Sequence, residues 1–159
     1  MKQEMISKVL KVFSVLAGIL GGLFFYWYFP HIIEVFIMEN PEVQFLQIPS
    51  YIGIGCLSIV CYVALFFFWK VCDKIGIQES FCIENASSMK MISIMASLVC
   101  AIILVGDIYL GVVGFLHPGL LIVSSVFIFI GSSFAVICFS LSSLILNAVT
   151  IKEENDLTI

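Results

Sequence analysis

Three side chains in this sequence could bind an ion or relay a proton at a fixed membrane depth: Asp107, His31 and His117. Asp107 interrupts an otherwise uncharged stretch, with no Asp, Glu, Lys or Arg from 91 to 106 or from 108 to 151. An ionisable group within an apolar helix is by default a functional hypothesis, because a charge in hydrocarbon is costly. Counted from Met91, however, Asp107 lies about 25 Å along its helix. That depth is close to a membrane face, where water can reach it. The ordinary reading is therefore a hydrated carboxylate or a helix contact. Pairing with His31 or His117, or ion and ligand binding, is the sharper one. Two histidines with acidic neighbours could hold a metal, but no ligand spacing supports that.

Catalytic chemistry has no foothold. There is no glycine-rich phosphate loop, no GxSxG elbow and no HExxH pair. No catalytic residue is nominated, no cofactor is called for, and the chain is not read as an enzyme. The six cysteines (56, 61, 72, 82, 100 and 138) form no CxxC pair, which the four-helix redox enzymes of membranes need. They read as small packing residues. Small four-helix proton-coupled exporters usually carry a carboxylate deep in the first span, and residues 12–29 contain none.

A second group of residues suits recognition. Asp73, Glu79 and Glu84 fall in one polar stretch, and Glu153, Glu154 and Asp156 follow Asn147 in the tail. Carboxylates grouped in this way steer a basic partner and make its binding salt-sensitive. The bland alternative is that both stretches are ordinary solvated ends.

The elements that position these residues follow from hydropathy. Mean hydropathy is +1.18 and only 11% of residues are charged, which excludes a soluble domain. A bilayer core needs roughly 20 apolar residues of helix. The uncharged runs supply four such spans, at about 12–29, 49–69, 91–115 and 120–146. The expected fold is all-α: a polytopic membrane protein forming a four-transmembrane-helix bundle as one domain, with a loop at 70–90 and a tail at 147–159. Pro30 is expected to stop the first span and Pro49 to sit in the first turn of the second. The first span stays as a membrane anchor, since its apolar run exceeds the roughly 7–15 residues of a signal-peptide core. Ser14, Gly18 and Gly22, with Gly21 beside them, form a small-residue seam. Ser93, Ser97, Cys100, Asp107, Gly111 and Gly114 form another. Both are expected to pack helices closely.

The fourth run is too long for its task. Residues 120–151 would make about 48 Å of helix against a core of about 30 Å. Its second half turns amphipathic, with Ser140, Ser143, Asn147 and Thr150 opposed to Leu141, Leu144, Ile145 and Ala148. The helix is expected to leave the bilayer and continue into KEENDLTI.

All seven basic residues are lysines, at 2, 8, 11, 70, 74, 90 and 152. With four spans they fall on one side, so the positive-inside rule places both termini and the 70–90 loop in the cytoplasm. Tyr26, Trp27, Tyr28, Tyr51 and Tyr109 then mark the outer interface. The Asn85-Ala86-Ser87 sequon lies on the wrong side for glycosylation. Cys72 and Cys82 lie on the reducing side. A net charge of −4 gives no reason to expect direct nucleic-acid binding. The oligomeric state is left open.

The middle stretch DKIGIQESFCIENASSMKMIS and the end NAVTIKEENDLTI, with four spans at these distances, resemble the bacterial membrane family known as domain of unknown function 2975. Phe81, Glu84, Asn85 and Lys90 match that family's loop pattern, with Cys82 in place of its serine. The tail matches from Lys152 to Thr158. The resemblance implies a multi-pass protein of the bacterial cell membrane. It also implies, through the genes that often neighbour the family, a cytoplasmic helix-turn-helix regulator as partner. Two further classes remain open: a small transporter or ligand sensor using Asp107, and a structural subunit of a membrane complex. Where the family's serine would cap the helix leading into span three, Cys82 is a weak acceptor and should leave that start looser, by about 1 kcal/mol.

Overall fold

The computed structural model describes residues 2–77 and 81–157, and within them every element is helical. Helix α1 (Lys2–Leu23) continues through a π-helical turn (Phe24–Tyr28) into α2 (Phe29–Glu39). A 3-10 segment (Pro41–Leu46) leads into α3 (Gln47–Gly76). Helices α4 (Ile83–Val113) and α5 (Pro118–Leu157) complete the chain. Four stretches, Gln3–Glu39, Pro41–Gly76, Ile83–Val113 and Pro118–Glu154, are long and apolar enough to cross a membrane. The architecture is that of a multi-pass membrane protein.

Pro30 does not stop the first helix. In a regular α-helix its ring would collide with the carbonyl four residues back, and its missing N–H would leave that carbonyl unbonded. The π turn before it resolves the conflict by widening the backbone, with the Phe29 N–H bonding the Phe24 carbonyl five residues earlier. The helix then runs on to Asn40, whose side-chain amide donates to the Phe36 carbonyl at 3.0 Å, and Pro41 ends it. Pro49 lies in the first turn of α3, as its fixed φ favours.

The stretch 70–90 is likewise more helical than its polar composition suggests. Helix α3 persists to Gly76 and α4 starts at Ile83, leaving only residues 77–82 as a connection. At the other end, Gly114 adopts the left-handed conformation (φ 83°), and the Phe115 N–H bonds the Leu110 carbonyl at 3.0 Å. Glycine reaches that conformation without a Cβ penalty, so α4 closes there and α5 can turn back.

Packing is serial. Helix α1 packs on α3, α3 on α4 and α4 on α5. Among the described residues no contact joins α1 to α4 or α5. This is an open bundle, with small residues at its seams. Gly18 and Gly22 let α1 approach Leu65 and Tyr62, and the Tyr62 hydroxyl donates to the Gly18 carbonyl at 2.9 Å. Ser7 donates to the Cys72 carbonyl at 2.6 Å. Between α4 and α5, Ser93 donates to the Ala135 carbonyl at 2.8 Å and Ser142 to the Ala86 carbonyl at 2.6 Å. A small core of Val71, Ile92 and Cys138, flanked by Phe67, Phe68, Ile75 and Met89, ties α3, α4 and α5 together.

The alternation of helices gathers Lys8, Lys11, Lys70, Lys74, Lys90 and Lys152 at one end of the bundle. At that end Lys8 donates to Glu4 at 2.9 Å and holds its carboxyl below the usual carboxylate range. Glu34, Glu39, Glu42, His31 and His117 occupy the opposite end. There the Tyr51 hydroxyl reaches Glu34 at 3.4 Å, and Phe45 meets Phe115 edge-on at 6.2 Å.

Candidate functional site

Asp107 sits half-buried on the face of α4 that also carries Cys100 and Gly111. The antiparallel register, with Ser93 facing Ala135 and Ala86 facing Ser142, puts it level with Leu121. Neighbouring Ser124 is buried, and its hydroxyl donates to the Leu121 carbonyl at 3.1 Å. Among the described residues no hydrogen bond or ion pair reaches Asp107. His117 does something else: its Nδ1 accepts the Gly119 N–H at 3.1 Å and so caps the first turn of α5. His31 is exposed on α2, where it borders a shallow groove with Val35, Phe36 and Glu39. The structure thus does not join these three residues. Nor, among the described residues, do three metal-ligating side chains converge anywhere.

The other groove, of roughly 340 Å³, lies between α4 and α5 and is lined by Ser93, Ser97, Cys100, Ser132, Ala135, Val136 and Phe139. Its polar atoms are already engaged. Besides the Ser93 bond, Ser97 donates to the Ser93 carbonyl at 3.0 Å, Cys100 to the Ile128 carbonyl at 3.6 Å, and Ser132 to the Cys100 sulfur at 3.8 Å. A ligand would find apolar walls and few free hydrogen-bonding groups. In the sequence, Ser132 carries no signal beyond its seven-residue spacing from Ser125.

The candidate docking residues separate by electrostatics. Asp73 is paired with Lys11 at 2.5 Å, and the Lys11 ammonium also lies 5.7 Å from the Trp69 ring centre. Glu84 is paired with Lys74. These pairs brace α1 against α3 and α3 against α4, and each partner cancels the other's field. Asn147, Glu153 and Glu154 instead lie exposed on the end of α5. Glu79 and the side chain of Asp156 fall outside the described residues. Asp73 and Glu84 therefore join helices, and Glu153 and Glu154 are presented beside Lys152 at the end of α5.

The loop pattern shared with the family also has structural roles. Asn85 is buried at 2% exposure in the first turn of α4. Cys82 takes the extended N-cap conformation (φ −138°, ψ 157°) with no side-chain hydrogen bond, as expected for a thiol at a cap position. Its carbonyl accepts the Asn85 and Ala86 N–H groups at 3.1 and 3.2 Å. Cys82→Ser should supply the missing acceptor and stabilise the protein by about 0.5–1 kcal/mol. Thermal unfolding in detergent would show this as a rise of a few degrees, with Cys82→Ala unchanged.

Sequence comparison agrees with the pattern. The family model described as protein of unknown function (DUF2975) matches residues 34–159, from the middle of α2 through the tail. Neither a curated protein nor a solved structure matches the chain.

Proposed function

We propose that this chain, which belongs to the DUF2975 family of proteins of unknown function, is a bacterial cell-membrane protein that binds and modulates a cytoplasmic helix-turn-helix transcription regulator. The observation that carries the reading is the contrast between its two acidic stretches. Asp73 and Glu84 pair with lysines of neighbouring helices, whereas Glu153 lies exposed on α5, which runs out to Leu157 past the start of α4. Both termini are assigned to the cytoplasm because the lysines gather at one end, and basic residues flanking short spans are retained there. A regulator's basic DNA-binding face is complementary to the α5 end. Opposite fields of this kind raise the encounter rate by roughly 10–1,000-fold at low salt.

The test starts from the genes beside this one: a helix-turn-helix regulator found there is assayed for capture by the full chain in detergent and by a form ending at Ile151. The full chain should retain the regulator at low salt and release it as salt rises, and the shortened form should retain roughly tenfold less. Equal capture by both would remove the tail from the reading. No capture by either would end it.

A second reading, a small transporter or ligand sensor, rests on the half-buried Asp107 carboxylate that has no partner among the described residues. The open packing argues against it, since neither groove is an enclosed path between the two ends of the bundle.

A further inference from the structure

We infer that the end of α5 is a helix-docking surface, in which the apolar stripe Leu141, Leu144, Ala148 and Ile151 takes a basic amphipathic helix of the partner and Glu153 and Glu154 fix its charge. The inference rests on the proposed cytoplasmic partner and says how that partner is held. With Ala86 facing Ser142, the register sets Ile83, the first residue of α4, opposite Ile145. Beyond it α5 continues to Leu157, roughly 18 Å at 1.5 Å per residue, past the helix that supports it.

The lysines mark where the bilayer ends. Lys90 falls opposite Cys138 by the same register, which moves the edge of the hydrocarbon on α5 back to near Ser140, six residues short of the 120–146 span expected from hydropathy. Its apolar face does not end there. Leu141, Leu144, Ala148 and Ile151 recur at spacings of three and four on one side, with Leu144 63% and Ile151 59% exposed. Ser140, Ser143, Asn147 and Thr150 line a different side, and the Ser143 and Thr150 hydroxyls bond their own helix's carbonyls at 3.3 and 3.1 Å. A continuous apolar stripe outside the bilayer marks an interaction surface.

Charge selects the occupant. An anionic lipid surface repels Glu153 and Glu154, so the stripe does not lie down on the membrane. A second copy inserted in the same orientation would pair α5 ends in parallel and bring like carboxylates together. A basic amphipathic helix satisfies both features at once, with its apolar side on the stripe and its cations near the carboxylates.

The experiment uses the full chain in phosphatidylcholine nanodiscs. The probes are two fluorescent amphipathic helical peptides of one pattern, leucine with lysine and leucine with glutamate. The lysine peptide should bind chain-loaded discs at least tenfold more tightly than empty discs, and the glutamate peptide should not. Leu144→Ser with Ile151→Ser should weaken that binding roughly tenfold by removing apolar contact without changing charge. Three results overturn the inference: unchanged affinity in the double variant, equal binding of the glutamate peptide, or no binding above empty discs. Quenching by brominated lipid of Ile151→Trp in a chain with Trp27 and Trp69 replaced by Phe, or disulfide cross-linking of two copies through Ile151→Cys beyond that of the parent chain with its native cysteines, would also overturn it by assigning the stripe to lipid or to a second copy. The regulator separates this inference from the broader reading. Undiminished capture by the double variant sinks the docking surface alone, whereas peptide binding without regulator capture sinks only the regulator reading.

Discussion

Gly131→Ala should unfold at a lower temperature than the parent protein, and Cys100→Ala should restore most of the loss. A Cβ at position 131 would lie 2.6 Å from the Cys100 sulfur, closer than real Cβ contacts come. Cys100 is itself buried against α5 and bonds the Ile128 carbonyl, so its sulfur has little room to swing away. Two terms oppose each other here. Alanine gains about 1 kcal/mol over glycine in a helix interior, and overpacking costs about 1–3 kcal/mol. Sterics should win at Gly131 by up to about 2 kcal/mol, because α4 and α5 share the most extensive seam of the bundle. Gly106 supplies the control, with nothing within 4 Å of its Cβ position, so Gly106→Ala should be neutral or stabilising. The bulkier Gly131→Val should separate α4 from α5 outright. Detergent unfolding of the two single variants and the double variant would measure the coupling directly. If Cys100→Ala failed to rescue, the 2.6 Å approach would not be the cause.

That seam also shows what could be read from sequence and what could not. The glycine and serine stripes of the first and third spans were legible, because helical spacing fixes which residues share a face. Gly131 was not, since a single glycine among residues 120–146 has no periodic partner. Pro30 misled for a physical reason. The rule that proline breaks a helix assumes α geometry, and a π turn relieves the clash at the expense of one misaligned residue. Composition suggested a loop at 70–90 because charges cluster there. Helices do not end where the bilayer ends, however, and α3 and α4 carry their polar residues outward. The serial helix order was also invisible: helices apolar on every side show no preferred neighbour. Least legible were the ion pairs Lys11–Asp73 and Lys74–Glu84, which depend on which helix ends meet.

Those pairs yield the sharpest functional contrast. Reversing Glu153 and Glu154 to lysine should lower regulator capture roughly 10–100-fold at low salt, with the effect shrinking as the Debye length falls from about 10 Å at 0.1 M toward about 3 Å at 1 M. Stability should hardly move, because both residues lie exposed beyond the supporting end of α4. Neutralising Asp73 and Glu84 to Asn and Gln should do the reverse. Capture should persist, because those carboxylates sit at the α1–α3 and α3–α4 seams and not on the end of α5, while the lost pairs cost up to about 1 kcal/mol each. Both sets remove negative charge from the same end of the molecule, so a partner that senses only bulk charge would respond to each. A partner docked on α5 responds to one. The two double variants, assayed side by side for capture and thermal unfolding at low and high salt, separate these cases. Comparable loss of capture in both would show that the regulator reads the overall field of this end, not a surface on α5.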